Sequence, residues 1–313
     1  MSAVQTTATV DAFTAEVIRN AVVAITREMK TNLMRTAYSS IIYEAEDFTI
    51  GLGLPMFIRG LSDAIKAKIA HWGKENIAPG DILLTNDGYV MGSHLNHMIF
   101  TLPIFHDGEI VAFSASMAHW PDVGGVLGGS TRDIYAEGLQ LPFVKIFKAG
   151  RQEPKLTAIL RANCRLPDRA MGSFRAQIAA IRTGERRVSQ LLQRYGTQAF
   201  IESIQLIFAQ SERLARAAVR TIPDGVYEAE SFMDDDGVVL SKHIPVRVRV
   251  EVRGDAITFD LSGVGAQVAG YFNFGPTAGR SACEVAFKCL TAPLLLPINE
   301  GSFRPLSIRH YRG

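Results

Sequence analysis

Cysteine is scarce in this chain: Cys164, Cys283 and Cys289 are the only three, an odd number with no CxxC spacing. That excludes a disulfide framework and a thiolate zinc site, and it leaves free thiols packed as small apolar side chains, as expected of a protein in the reducing cytoplasm. Long hydrophobic runs are also missing. The most apolar stretch, residues 290–298, is short and carries two prolines, against the roughly 20 apolar residues needed to span a bilayer. A membrane is therefore not an expected partner. Charge of one sign is not in excess either: 33 Lys+Arg stand against 31 Asp+Glu, too even to track a phosphate backbone, so nucleic acid is excluded as a class of partner. The first thirteen residues, MSAVQTTATVDAF, have no basic segment followed by an apolar one, so no export signal is read there.

What is present is enough apolar matter for a large core: 47% of 313 residues are hydrophobic, which suits one large body or two intermediate ones. Across residues 11–37, Ile18, Val22, Ile25, Met29 and Leu33 recur at three- and four-residue steps, the mark of a long amphipathic helix. A shorter helix is expected over 62–72, then a turn at Pro79-Gly80-Asp81 and a strand at Ile82-Leu83-Leu84. Residues 98–105 and 109–117 read as two strands joined by His106-Asp107-Gly108, where Asp-Gly suits a tight hairpin. Helices are expected over 168–182 and 185–195, with Gly196 as a stop, and a further helix begins at Thr197. Val246, Val248, Val250 and Val252 then alternate with charged residues, marking a half-buried strand that turns at Gly254-Asp255 into residues 257–261. No repeat or polar linker divides the chain. The expected fold class is α+β, long helices packed with antiparallel sheet regions in one body over 1–313, helix-rich across 1–222 with a second β region across 223–313.

Three histidines gather around the hairpin: His94 and His97 before its first strand, His119 after its second. A turn centred on Asp107 sets His97 opposite the neighbourhood of Met117 and His119 near Leu95 and Asn96, so the imidazoles meet at the open end. Convergent neutral imidazoles suit a divalent ion, which lowers the pKa of a bound water. Spacing alone leaves a metal site and scattered structural histidines equally open. Asp122, in His-Trp-Pro-Asp, could accept a proton from water or orient a histidine, and Asp87 ends the preceding strand on what could be the same side. His106 lies in the turn and reads as exposed. The glycines of 124–129 read as tight turning, since no P-loop lysine follows them. Asp234-Asp235-Asp236-Gly237 reads as a solvated turn. Glu44, Glu46 and Asp47 follow the first helix, and spacing does not connect them to the histidines.

The runs Thr85-Asn86-Asp87-Gly88-Tyr89, Gly92-Ser93-His94-Leu95-Asn96 and Ala118-His119-Trp120-Pro121-Asp122-Val123-Gly124-Gly125 resemble the central signature of the hydantoinase B/oxoprolinase family. Further stretches follow in the family's order: Ile134-Tyr135-Ala136-Glu137-Gly138-Leu139, Asn163-Cys164-Arg165, Ala176-Gln177-Ile178-Ala179-Ala180, Ile222-Pro223-Asp224-Gly225 and Phe259-Asp260-Leu261-Ser262-Gly263. The resemblance covers residues 11–305. It implies the metal-dependent hydrolytic subunit of an ATP-dependent hydrolase of hydantoins, oxoproline or lactams. A hydantoinase A-type partner would bind ATP and phosphorylate the substrate carbonyl, and this chain would present a metal-bound water to it.

Carried over residue by residue, the resemblance makes Asp47, His94, His97 and His119 the metal ligands. His97 is a departure, because relatives usually present an aspartate in that place. Three imidazoles and one carboxylate favour zinc, with manganese the alternative. The stretch 48–62 is shorter than is usual, and the chain stops where family chains generally continue, so the ending reads as truncated. Two other functions stay open: a subunit of an acetone- or acetophenone-type carboxylase, and a non-catalytic structural subunit.

Overall fold

The computed structural model describes residues 10–54, 61–90, 94–126, 131, 133–273, 275–291 and 298–309. Its elements in chain order are α1 (Ala12–Thr36), α2 (Ser40–Tyr43), β1 (Phe48–Gly53), α3 (Leu61–Trp72), β2 (Ile82–Thr85), β3 (His97–His106) and β4 (Glu109–His119). There follow α4 (Ile134–Glu137), β5 (Val144–Lys148), β6 (Arg151–Gln152), α5 (Pro154–Asn163), α6 (Pro167–Val219), β7 (Gly225–Met233), β8 (Ile244–Arg253), β9 (Ala256–Asp260), α7 (Pro276–Thr291) and β10 (Leu306–Arg309). Helices and largely antiparallel sheets combine as the α+β reading expects.

Six strands form one antiparallel sheet in the order β1-β4-β3-β2-β5-β6. Period-two alternation sorts its side chains onto two faces. Met98, Phe100 and Leu102 pack with Trp120 against Phe174, Ile178 and Ile181 of α6, while Leu83, Ile99, Phe113 and Ala115 pack against Ala64 and Ile65 of α3. Asp11 caps α1 by accepting from Thr14 N at 2.9 Å. The stripe Ile18, Ile25, Met29 and Leu33 is buried, the first three in a cluster with Val188, Leu192, Phe200, Ile204 and Phe208 of α6. Each such buried side chain contributes roughly 1.5–3 kcal/mol.

Two differences from the sequence reading have clear causes. The helix expected to stop after Arg182 runs unbroken to Tyr195, because Gly184 serves close packing: a Cβ there would collide with Ser114 Oγ and lie 2.7 Å from Met29 Sδ. Gly196, with φ of 79°, does break α6 where the sequence stops it. The hairpin turn is the two-residue Asp107-Gly108, both at positive φ, and a bulge places Ile104 opposite Ala112 while Phe105 faces Ile110. His97 therefore stands directly opposite His119, two residues along β4 from the Met117 expected for a turn centred on Asp107.

The second sheet has the order β10-β9-β8-β7, with β10 parallel to β9. Val252, Ile257 and Phe259 pack with Phe287 of α7 and with Ala215 and Val219 at the end of α6. Its other face carries registered charge pairs, Glu230 with Arg247 and Glu228 with Arg249. Arg280 of α7 pairs with Asp63 of α3, tying this unit to the first sheet. Asp236 corrects the solvated-turn reading: it is 5% exposed and accepts from Val238 N, Val239 N, Ala269 N and Gly270 N. These bonds hold its carboxyl below the usual range.

Lys68 of α3 is fully buried, and its Nζ donates to Ile99 O at 2.8 Å, Thr101 Oγ1 at 2.9 Å and Leu83 O at 3.3 Å. Burial pushes its pKa well below that of an ordinary lysine. Between the depressed folded value and the unfolded value of about 10.4 the folded chain binds fewer protons, so stability rises with pH across that window. Urea unfolding of the wild type and Lys68→Met at pH 7 and pH 9.5 should show the difference shifting in favour of the wild type as pH rises; a pH-independent difference would contradict the burial effect.

Candidate metal centre

β3 opens with His97 and β4 closes with His119, so their pairing puts both imidazoles on one face at the open end of the hairpin. β1 flanks β4 on its other side with Phe48 opposite Ala118. Asp47, one residue earlier, is thereby carried to His119, whose backbone N donates to Asp47 O at 3.1 Å. His94 sits in the turn leading into β3, where its carbonyl accepts from His97 N at 3.3 Å. The ring centroids of His94 and His97 are 4.5 Å apart, those of His94 and His119 4.7 Å, and those of His97 and His119 5.2 Å. His97 Nε2 lies 3.6 Å from Asp47 Oδ1. Sequence spacing could not link Asp47 to the histidines; strand β1, unread in the sequence, does so.

Buried amides fix the turn that carries His94. Asn86, 1% exposed, donates to Leu95 O at 2.8 Å and Leu139 O at 2.9 Å and accepts from Leu141 N at 2.7 Å. Glu137 Oε2 accepts from Leu95 N at 3.1 Å. Asn96 Nδ2 donates to Trp120 O, and Trp120 N donates to Asn96 O, both at 2.8 Å. Leu95 and Asn96, which follow His94, and Trp120, which follows His119, are thus held by polar contacts.

Burial, then the neighbouring His94 and His119, push the His97 pKa down to about 4, against an opposing pull from Asp47. Burial also lowers that of His119, again opposed by Asp47. Both shifts favour the neutral ring, which offers a lone pair. Nδ1 of His97 and Nδ1 of His119 are buried without a hydrogen-bond partner, a cost that a cation beside them would remove. Imidazoles bound to one ion at about 2.1 Å and about 90–110° apart would have centroids roughly 4.5–5.2 Å apart, which is the spacing seen. Among the described residues no group of three or more His, Cys, Asp or Glu side chains is placed so that it could hold a metal ion. The donor types and ring spacing suit a divalent ion, while the donor atoms as placed do not enclose one.

Asp122, read in the sequence as a proton acceptor or as the orienter of a histidine, is bonded here to the loop after β4 and to Arg165. It is 5% exposed, pairs with Arg165 Nη1 at 2.8 Å, and accepts from Gly124 N at 3.0 Å and from Arg165 N. None of its contacts is with an imidazole, and its lone pairs brace the loop that follows β4. Asp87 accepts from Tyr89 N at 2.9 Å and likewise shapes its own turn. Gly124 and Gly125 both have positive φ, and a Cβ on Gly125 would collide with Ala136 O, so tight turning holds for these two. Residues 127–130 of the glycine-rich loop lie outside the described residues. His106 ends β3 opposite Glu109 and is half-buried beside Asp107, which corrects the exposed-turn reading.

The hydantoinase B/oxoprolinase family model matches residues 11–313. The chain belongs to that family. A putative D-/L-hydantoinase chain of the B type from Pseudomonas sp. (strain NS671) is 29% identical to this hydantoinase B-family chain over 96% of it and 55% of the relative. The crystal structure of the ATP-dependent caprolactamase from Pseudomonas jessenii superposes with a TM-score of 0.88 at 30% identity, over 97% of this chain and 56% of that one. The nucleotide-free structure of acetone carboxylase shares the fold, with a TM-score of 0.79 at 15% identity over 95% of this chain and 43% of that one. The chain spans about half the length of the curated relatives it matches. Among the described residues no helix is long and apolar enough to cross a membrane.

Asn86→Ala would leave Leu95 O, Leu139 O and Leu141 N unpaired in a buried place. The expected loss is about 2–5 kcal/mol in urea unfolding; a loss below about 1 kcal/mol would mean that the His94 turn does not depend on this amide.

Proposed function

We propose that this hydantoinase B-family chain supplies the metal-bearing, amide-cleaving part of an ATP-dependent hydrolase of cyclic amides. The observation that carries the reading is the meeting of His94, His97, His119 and Asp47 at one end of the first sheet. Neutral imidazoles give lone pairs, and the Asp47 carboxylate supplies the negative charge that holds a cation among them. When bound, such an ion supplies Lewis acidity toward a carbonyl and a water of lowered pKa. His97 and His119 are held by paired strands, so their separation is fixed by the backbone, and His94 closes the site from its turn. Asp122 acts through the loop it shares with Arg165, keeping residues 122–125 folded beside the site. The nitrogen-rich donor set favours zinc over manganese.

Cyclic amides resist hydrolysis at neutral pH, and an activated carbonyl removes much of that barrier. Relatives named as individual subunits of a hydantoinase and of a caprolactamase support a multi-subunit assembly. The partner fitting this chemistry is an ATP-binding hydantoinase A-type chain that phosphorylates the substrate's carbonyl oxygen. The fold shared with acetone carboxylase favours a second reading, in which the same pocket guides an activated ketone to carboxylation.

Plasma mass spectrometry of the purified chain should find near-stoichiometric zinc, reduced at least tenfold in His94→Ala and His119→Ala. With an A-type partner, ATP and a hydantoin, 5-oxoproline or lactam, ring opening should proceed without bicarbonate. Manganese alone would overturn the zinc assignment, bicarbonate-dependent turnover would favour the carboxylase, and a metal-free parent would point to a structural role.

A further inference from the structure

The face of the first sheet that packs against α6 is apolar almost throughout, lined by Met98, Phe100, Ala118, Phe174, Ala176, Ile178 and Ala180. Gln177 is an exception, as are Ser114 and Ser116 of β4. Gln177 is fully buried, and its amide is fully used: Nε2 donates to Met98 O at 3.0 Å and Ser116 Oγ at 3.1 Å, while Oε1 accepts from Trp120 Nε1 at 2.8 Å. Met98 follows His97, and Trp120 follows His119. Met98 also lies one residue beyond the last β2–β3 pair, Thr85 with Ile99, where the strand ladder has ended. Trp120 is fully buried, with its ring stacked on Phe100 at 6.5 Å between centroids, and its backbone is bonded in both directions to Asn96.

One side chain therefore grips the residue after each of the two paired histidines and, through Trp120 and Asn96, reaches the turn that carries His94. Neighbouring Cβ atoms on a strand point to opposite faces, so a contact made on the α6 face at Met98 sets the direction of His97 on the other face. We propose that Gln177 is a positioning residue for the His94–His97–His119 cluster, fixing from behind the sheet the relative placement of the three imidazoles. This rests on the metal-centre reading and assigns it a determinant outside the ligand set. The chemistry is specific to an amide: methionine would fill the space but leave Trp120 Nε1 and Met98 O unpaired, and glutamate would keep the acceptor for Trp120 while removing both donors.

Two variants and a control test this. Gln177→Met removes all three bonds, Trp120→Phe removes only the indole N–H, and Val219→Ala destabilises the other core without touching the sheet end. In metal-free protein, hydrogen exchange read by mass spectrometry should quicken at least tenfold in peptides spanning 94–98 and 119–122 for Gln177→Met, less for Trp120→Phe, with the β7–β8 peptides unchanged. Zinc titration should then show about tenfold weaker binding in Gln177→Met, an intermediate loss in Trp120→Phe and none in Val219→Ala. Unchanged local exchange, or exchange that quickens evenly across the molecule, would overturn the proposal, as would parental zinc affinity in both site variants. A parent chain that binds no zinc would remove the metal reading, and the exchange experiment alone would then decide the role of Gln177.

Discussion

The pairing of β3 with β4 is the constraint on which the candidate site depends. Near the turn His106 faces Glu109 and Phe105 faces Ile110; beyond the bulge Ile104 faces Ala112, and that register runs on to His97 and His119. A one-residue slip sends side chains to the opposite face. Without the bulge His97 would face Ala118, and His119 would turn into the α6 core. The extra residue in β4 thus places both imidazoles on the face where Asp47 arrives from β1, and the same register delivers Met98, Ala118 and Trp120 to the α6 core.

An open sheet end is the place where strands fray, since the ladder stops there and backbone groups lose their partners. Here it is closed with buried polar side chains. Asn86 holds Leu95, and Asn96 exchanges two bonds with Trp120. On the α3 face Lys68 spans the carbonyls of Leu83 and Ile99; on the α6 face Gln177 spans Met98 and Trp120. Such groups are costly to bury unless each finds its partner, and they then specify one arrangement. Three imidazoles with ring centroids 4.5–5.2 Å apart keep that spacing only on a backbone held in this way.

Much of this was legible in the sequence. The three- and four-residue spacing gave α1, the Asp-Gly turn located the β3–β4 hairpin, alternating valines marked β8, and Gly196 marked the break in α6. Residues 48–53, 144–152 and 225–233 showed no pattern strong enough to read: β1 is six residues with two glycines, β6 has only two residues, and β7 is almost wholly exposed. α7, sixteen residues long, was not read from the sequence. At the site, local spacing brought His94, His97 and His119 together, whereas Asp47 depended on the family resemblance until β1 supplied the geometry. The partner of Asp122 was not legible, because proximity in sequence to His119 says nothing about Arg165, which pairs with its carboxylate from across the fold. Gln177 was visible only as part of a family motif, since its role depends on two strands that meet it in space.

The central claim is that the sheet end is built to share one ion among His94, His97, His119 and Asp47. Anomalous diffraction at the zinc edge from crystals of the zinc-loaded chain tests it most directly. The account predicts a single strong peak about 2.0–2.2 Å from one nitrogen of each imidazole and from one Asp47 oxygen. A peak at another place on the protein, or none between these four side chains, would contradict it.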